Sequence, residues 1–138
     1  MKKKIENNVK TILKKDGVKN NVFSMENKLI TNISKIIKDK KKNKNWSYRL
    51  VNTDSNSATL ICQQPGEGNR KHYHSNWNEW WLILDGSWEF EINKKKKILK
   101  KNDLILIKKN KIHKITAIGN KPAIRLAVSR ADVDHIYI

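Results

Sequence analysis

The chain has 138 residues and a formal net charge of +17, carried by 30 basic and 13 acidic side chains. That length supports one domain with its own core, and the single cysteine, Cys62, excludes an intramolecular disulfide. No stretch is apolar for long enough to be a signal peptide or a membrane span, so a cytoplasmic protein without membrane contact is expected. The basic excess is almost entirely lysine, 26 Lys against 4 Arg. Base reading and bidentate phosphate contacts favour arginine, and Lys, Asn and Ile share A/T-rich codons. A nucleic-acid partner is therefore not expected, although the field should speed the arrival of anionic small molecules.

Residues 1–45 hold 14 Lys against 4 acidic groups and lack His, Trp, Tyr, Cys and Pro. They read as a basic, helical N-terminal extension. Ile5, Val9, Ile12 and Leu13 recur at helical spacing until Asp16-Gly17 ends the run. A second helix is expected from Ser24, whose hydroxyl can cap the free amides, with Glu26 favourable in the first turn. Leu29, Ile30, Ile33, Ile36 and Ile37 would form its apolar stripe, packed on the main domain or on the partner of a homodimer. Lys38 to Asn45 then reads as a solvated linker.

Residues 46–138 change to short strands and turns. Trp46–Val51 and Ala58–Gln63 flank a polar turn, and residues 70–74 enter another strand. Glu79–Leu84 and Trp88–Ile92 are separated by Asp85-Gly86, which reads as a hairpin turn. Trp88, Phe90 and Ile92 alternate with Glu89 and Glu91, so one face should be buried and the other wet. A turn over Asn93–Lys97, a strand Leu104–Ile107, a strand holding His113 and a strand Ala123–Val128 complete the set. Eight or so short antiparallel strands give an all-β domain, a double-sheet jelly roll or a small barrel. Cys62 is expected as a small buried side chain in its strand.

The chemistry concentrates in Gly66-Glu-Gly-Asn-Arg-Lys-His72-Tyr-His74-Ser-Asn-Trp-Asn-Glu79-Trp-Trp-Leu-Ile-Leu-Asp-Gly86. Side chains at i and i+2 of a strand share a side, so His72 and His74 aim together, and a returning strand can bring Glu79 to the same point. Two imidazoles and a carboxylate suit a borderline divalent metal.

This stretch resembles the first signature of the cupin superfamily, Gly-x5-His-x-His-x3-4-Glu-x6-Gly, at every fixed position. The second signature, Gly-x5-Pro-x-Gly-x2-His-x3-Asn, is kept in part: Asn102, Lys108, Asn110 and Ala117 replace its Gly, Pro, Gly and Asn, and His113 keeps its place. Asn tolerates positive φ best after Gly, so two of these departures are conformationally mild. The resemblance implies a cupin double-stranded β-helix, a jelly-roll barrel, over residues 46–138. It further implies one divalent metal (Fe(II), Mn, Ni, Co or Zn) held by His72, His74, Glu79 and His113.

Counting by twos from these residues puts Trp81 and Ile83 inside, below the metal, and Arg70 inward at the barrel mouth. Trp81 replaces the tyrosine that some cupin lyases carry two residues after the glutamate. Trp77, Trp80, Trp81 and Trp88 would give aromatic walls or fill the core. His135 reads as an exposed C-terminal residue. Arg70 and Trp81 are thus the pocket candidates, and the substrate a small molecule bearing a carboxylate or phosphate. The resemblance favours a metal-dependent enzyme of dioxygenase, isomerase or lyase type, in sugar or small-acid metabolism. The alternative is a non-catalytic, metal-supported binding or sensing module.

Overall fold

The computed structural model describes residues 9–138 and folds them into two facing sheets. Ile5, expected in the first helix, lies outside the described residues. In chain order the elements are α1 (Val9–Lys15), β1 (Asn21–Ser24), α2 (Ile33–Lys40), β2 (Trp46–Asn52), β3 (Ser57–Gln63) and β4 (His72–Tyr73). They continue with β5 (Glu79–Asp85), β6 (Ser87–Ile92), β7 (Lys95–Leu99), β8 (Leu104–Ile107), β9 (His113–Ile118), β10 (Ala123–Ser129) and β11 (Ile136–Tyr137). One sheet runs β1-β2-β3-β10-β5-β8 and the other β11-β4-β9-β6-β7. All pairings are antiparallel except β1 with β2. This is an all-β jelly-roll barrel with a small N-terminal helix.

Between the sheets lies a cluster of Trp81, Ile83, Trp88, Phe90, Leu99, Ile107, Ile115, Ala117 and Ala123. It follows from strand alternation: in β6, Trp88 and Phe90 are buried while Glu89 and Glu91 face outward. The six-stranded sheet is covered on its outer face as well. There Trp46, Leu50, Leu60, Cys62 and Ile124 are buried beneath Phe23 and the α2 side chains Ile33, Ile36 and Ile37. Most of β3 is consequently buried on both faces. Among the described residues no helix is long and apolar enough to cross a membrane.

Three local expectations are corrected. Ser24 does not start a helix; it ends β1, opposite Arg49. The helix begins eight residues later, where the Asn32 side chain accepts the Lys35 amide at 2.9 Å. Leu29 and Ile30, placed in its apolar stripe by periodicity, are 98% and 84% exposed. Pairing with β2 supplies the backbone of residues 21–24 with partners that an isolated helix could not match. Asp85-Gly86 is not a hairpin turn, because β5 and β6 lie in different sheets. It is the corner between them, where Gly86 adopts φ +72° and a Cβ would stand 2.6 Å from the Ala123 Cα. The true hairpin is β6–β7, turning on Asn93 and Lys94, both at positive φ as a two-residue type I′ turn requires, so Lys95–Lys97 belong to a strand.

The packing of α2 generates a stability prediction. Ile36→Ala with Ile37→Ala should cost about 2–4 kcal/mol through lost burial, lowering Tm by roughly 5–15 °C at this chain length. Unchanged melting would mean that α2 does not contribute to the outer core.

Candidate metal centre

β4 is only two residues long, yet it fixes the site. It lies between β9 and β11, and its pairing sets His72 directly opposite His113 on one side and Tyr137 on the other. His74 follows on the same side as His72. The three imidazoles are each 1% exposed, with ring centroids 4.4–5.1 Å apart and ligand atoms within 4.8 Å of one another. Glu79 opens β5 and brings its Oε2 to 2.7 Å from His74 Nε2.

Every ring is oriented by its other nitrogen. His72 Nδ1 meets the Arg70 carbonyl at 2.6 Å, His74 Nδ1 that of Asp134 at 2.5 Å, and His113 Nδ1 that of Lys111 at 2.8 Å. A carbonyl only accepts, so each Nδ1 carries the proton and each Nε2 presents a lone pair. The Nε2 of His113 is buried without a hydrogen-bond partner, and that of His74 meets only Glu79 Oε2. His74 Nε2 therefore faces a carboxylate oxygen, acceptor to acceptor, which only a shared proton or a cation relieves. This donor set fits a divalent cation, and carbonyl-anchored imidazoles are the usual support of such sites.

The electrostatics separate the three rings: without an ion, a proton shared with Glu79 relieves His74, while His72 and His113 favour the neutral form. Burial, then the neighbouring His113, pushes the His72 pKa down to about 3, and burial lowers that of His113, so both stay neutral. Burial raises the Glu79 carboxyl, but the charge and hydrogen bond of His74 outweigh it and hold it well below the usual range. Burial opposes a charge on His74 too, and Glu79 overcomes it, raising that pKa. Trp81, 1% exposed, donates Nε1–H to the other oxygen, Glu79 Oε1, at 2.6 Å, and its ring lies 5.7 Å from that of His113. Trp81 thus lies inside the barrel beneath the carboxylate. Trp88 fills the core, and Trp77 lies against Arg130.

Two placements are corrected. Arg70 does not face the pocket: regular strand begins only at His72, so counting by twos fails before it. Arg70 is exposed, donating to the Lys15 carbonyl at 3.3 Å and lying 4.3 Å over the Tyr137 ring. His135 is not an exposed tail residue. β11 folds the C-terminus back, and the half-buried His135 ring lies 5.1 Å from His72 and 4.8 Å from His74. Asp16, 2% exposed at the end of α1, brings Oδ1 to 3.3 Å from His72 Nδ1. Asp16 and His135 form a second ligand cluster with His72, so they extend one site rather than making another.

Beside this cluster lies a cavity of about 70 Å³, roofed by Val9, Ile12 and Leu13 of α1. Asp16, Arg49, Asn69, Glu79, Arg125 and His135 line it. Sequence reasoning missed Arg49 and Arg125. In β10 the apolar Ile124 and Leu126 face the outer cluster, leaving Ala123, Arg125 and Ala127 inside, so hydrophobicity in that strand gives no signal for an inward arginine.

The Cupin domain family model matches residues 59–129. No curated protein matches this sequence. Among solved structures, a Klebsiella pneumoniae protein with a double-stranded β-helix domain aligns at TM-score 0.67 and 17% identity, covering 79% of this chain and 90% of its own. KdgF from Halomonas sp. aligns at TM-score 0.55 and 17% identity, covering 60% of this chain and 76% of its own. A sugar phosphate isomerase from Silicibacter pomeroyi aligns at TM-score 0.53 and 18% identity, covering 56% of this chain. This chain spans about half of that isomerase, 51%. At these identities the likeness is one of fold.

Replacing His72 and His74 together by Ala should abolish retention of divalent metal while far-ultraviolet circular dichroism stays native, because the apolar clusters hold the sheets. Undiminished metal in elemental analysis would end the assignment. Trp81→Phe keeps the ring in the core but removes the donor to Glu79 Oε1. Loss of such an outer contact should weaken metal affinity about 10–100-fold, read by competition with a chromogenic chelator.

Proposed function

The chain belongs to the cupin family, and from that premise we propose that it is a metal-dependent enzyme acting on a small anionic metabolite. The observation that carries this reading is the convergence of the buried imidazoles of His72, His74 and His113 with the Glu79 carboxylate beside a polar cavity. A barrel that bound ligands without a metal would have no use for three carbonyl-anchored imidazoles whose free nitrogens meet one another. His72, His74, Glu79 and His113 would hold the ion, whose chemistry when bound is Lewis-acid polarisation of a substrate oxygen.

The protein's own groups supply the rest. Trp81 fixes Glu79 through Oε1, leaving Oε2 for the ion. His135 lies against His72 and His74 and lines the cavity, so it is the side chain outside the ligand set placed to accept or return a proton at its imidazole. Val9, Ile12 and Leu13 of α1 give the cavity one apolar wall, which limits the approach of water from that side. A sugar phosphate isomerase among the structural neighbours supports a sugar phosphate as the first substrate to examine.

Protein purified without an affinity tag should carry about one divalent ion per chain. The metal-loaded protein should turn over a sugar phosphate or small carboxylic acid, lose that turnover to a chelator, and regain it with one of Fe(II), Mn, Ni, Co or Zn. His135→Gln should lower turnover about 100-fold or more at unchanged metal content. Full metal loading without turnover across that panel would favour the binding-module alternative.

A further inference from the structure

Arg125 is fully buried, 0% exposed, yet among the described residues no carboxylate lies within ion-pair distance of it. Its partners are neutral. Nη1 donates to Gln63 Oε1 at 2.8 Å and Nη2 to Asn69 Oδ1 at 3.1 Å, while the guanidinium lies 4.6 Å from the Trp88 ring and 5.1 Å from Trp81. Nε is buried with no partner. Arg49, 5% exposed, repeats the pattern: Nε donates to Thr59 Oγ1 at 3.1 Å, and Nη1 is buried with no partner. Both line the cavity that also meets Glu79 and His135. Arg130, also there, is closed on Asp132 by two bonds of 2.9 and 3.1 Å.

Carboxylates act on these guanidiniums only from beyond ion-pair distance, Glu79 and Asp16 on Arg125 and Glu26 on Arg49, and a buried guanidinium without a contacting counter-charge is expensive. Even with Asp16 and Glu79 both ionised, these carboxylates only balance the two arginines. A divalent ion on the histidines then leaves the interior with two uncompensated positive charges. The two residues that carry the unsatisfied donors line the same cavity as Asp16, Glu79 and His135.

We propose that Arg49 and Arg125 form an anion subsite that takes the carboxylate or phosphoryl group of the substrate, whose remaining oxygens reach the metal. This rests on the small-metabolite reading above and supplies the positive charge that the exposed Arg70 cannot. The free donors, Nη1 of Arg49 and Nε of Arg125, belong to neighbouring inward rows: Arg49 pairs with Thr59, and Arg125 with Ile61. The cavity has room for about five waters, which suits a compact oxyanion group. The α1 side chains above it, Val9, Ile12 and Leu13, offer no competing acceptor.

The test titrates inorganic phosphate, and separately acetate, into full-length zinc-loaded protein, followed by calorimetry and by Tm. One phosphate or acetate should bind per chain and raise Tm, and the tighter anion identifies the substrate head group. Arg49→Met should weaken that binding about tenfold or more at unchanged metal content, and Arg49→Lys should recover part of it. Should Arg49→Met fail to fold, Thr59→Val, which removes the acceptor orienting Arg49 Nε, should weaken binding several-fold. Absence of saturable binding of either anion overturns the subsite. So does binding that survives Arg49→Met but disappears with the metal, since the anion would then sit on the ion alone. That result leaves the metal centre standing. Phosphate binding that needs Arg49 in a protein that never retains metal supports the subsite and removes the metal-dependent reading instead.

Discussion

Three imidazoles aimed at one buried point require three fixed rings, and the bonds that fix them reach the whole chain. A histidine ring turns freely about two torsions unless its second nitrogen is held. Here the holding carbonyls come from Arg70, Lys111 and Asp134, each outside the sheets. Each carbonyl is positioned in its turn. The Arg70 amide donates to the Asp16 carbonyl at 3.1 Å, which ties this segment to the end of α1. Lys111 follows Asn110, at φ +66°, whose amide donates to the His74 carbonyl at 2.7 Å. Asp134 is fastened by Ser75, which donates to its carboxylate from both backbone and hydroxyl, and by Asn76, which accepts its amide at 3.0 Å. The N-terminal helix and the C-terminal tail are therefore parts of the site.

The same constraint explains which face of the large sheet is polar. A barrel that brings carboxylates and imidazoles together inside cannot be apolar throughout, so Ser47, Arg49, Ser57, Thr59, Gln63 and Arg125 point inward and are buried. The apolar sides of those strands turn outward and need a cover, which α2 and β1 supply. Polar inside and apolar outside reverses the common arrangement, and a covering helix makes it tolerable.

That reversal accounts for much of what the sequence did and did not make legible. Where one face is wet, as in β6, alternation assigned Trp88 and Phe90 inward. Where both faces are largely buried, as in β3 and the first half of β10, alternation has no wet face to set its direction, and Arg125, like Arg49 in β2, passed unseen. The substitutions in the second signature were legible through backbone chemistry: Asn102 and Asn110 adopt φ +74° and +66°, positions a glycine would fill. Counting by twos was sound from Glu79 to Ile83, inside a seven-residue strand, and failed at Arg70, ahead of a two-residue one. β1, β7 and β11 were missed because short strands owe their existence to partners that no local window contains. His135 was missed for the same reason, since only the pairing of Ile136 with Tyr73 and of Tyr137 with His72 brings it to the site.

Helix α1 shows how far the parts depend on one another. The seven described residues of α1 span only about two turns, too few to persist in water without tertiary support. Its support is Val9 and Leu13 packed with Val18 and Ile61 on the inner face of the sheet. Its C-terminal end is held by the Gly17 turn, at φ +82°, whose absent Cβ leaves room for the Arg70 side chain 3.0 Å away. Arg70 also donates to Lys15 and, through its own carbonyl, orients His72. Arg70, expected as an anion ligand, is thus a strut linking α1, the tail and the first histidine of the candidate centre. The roof of the cavity and the orientation of His72 meet at one residue, which reaches α1 through its side chain and amide and the imidazole through its carbonyl.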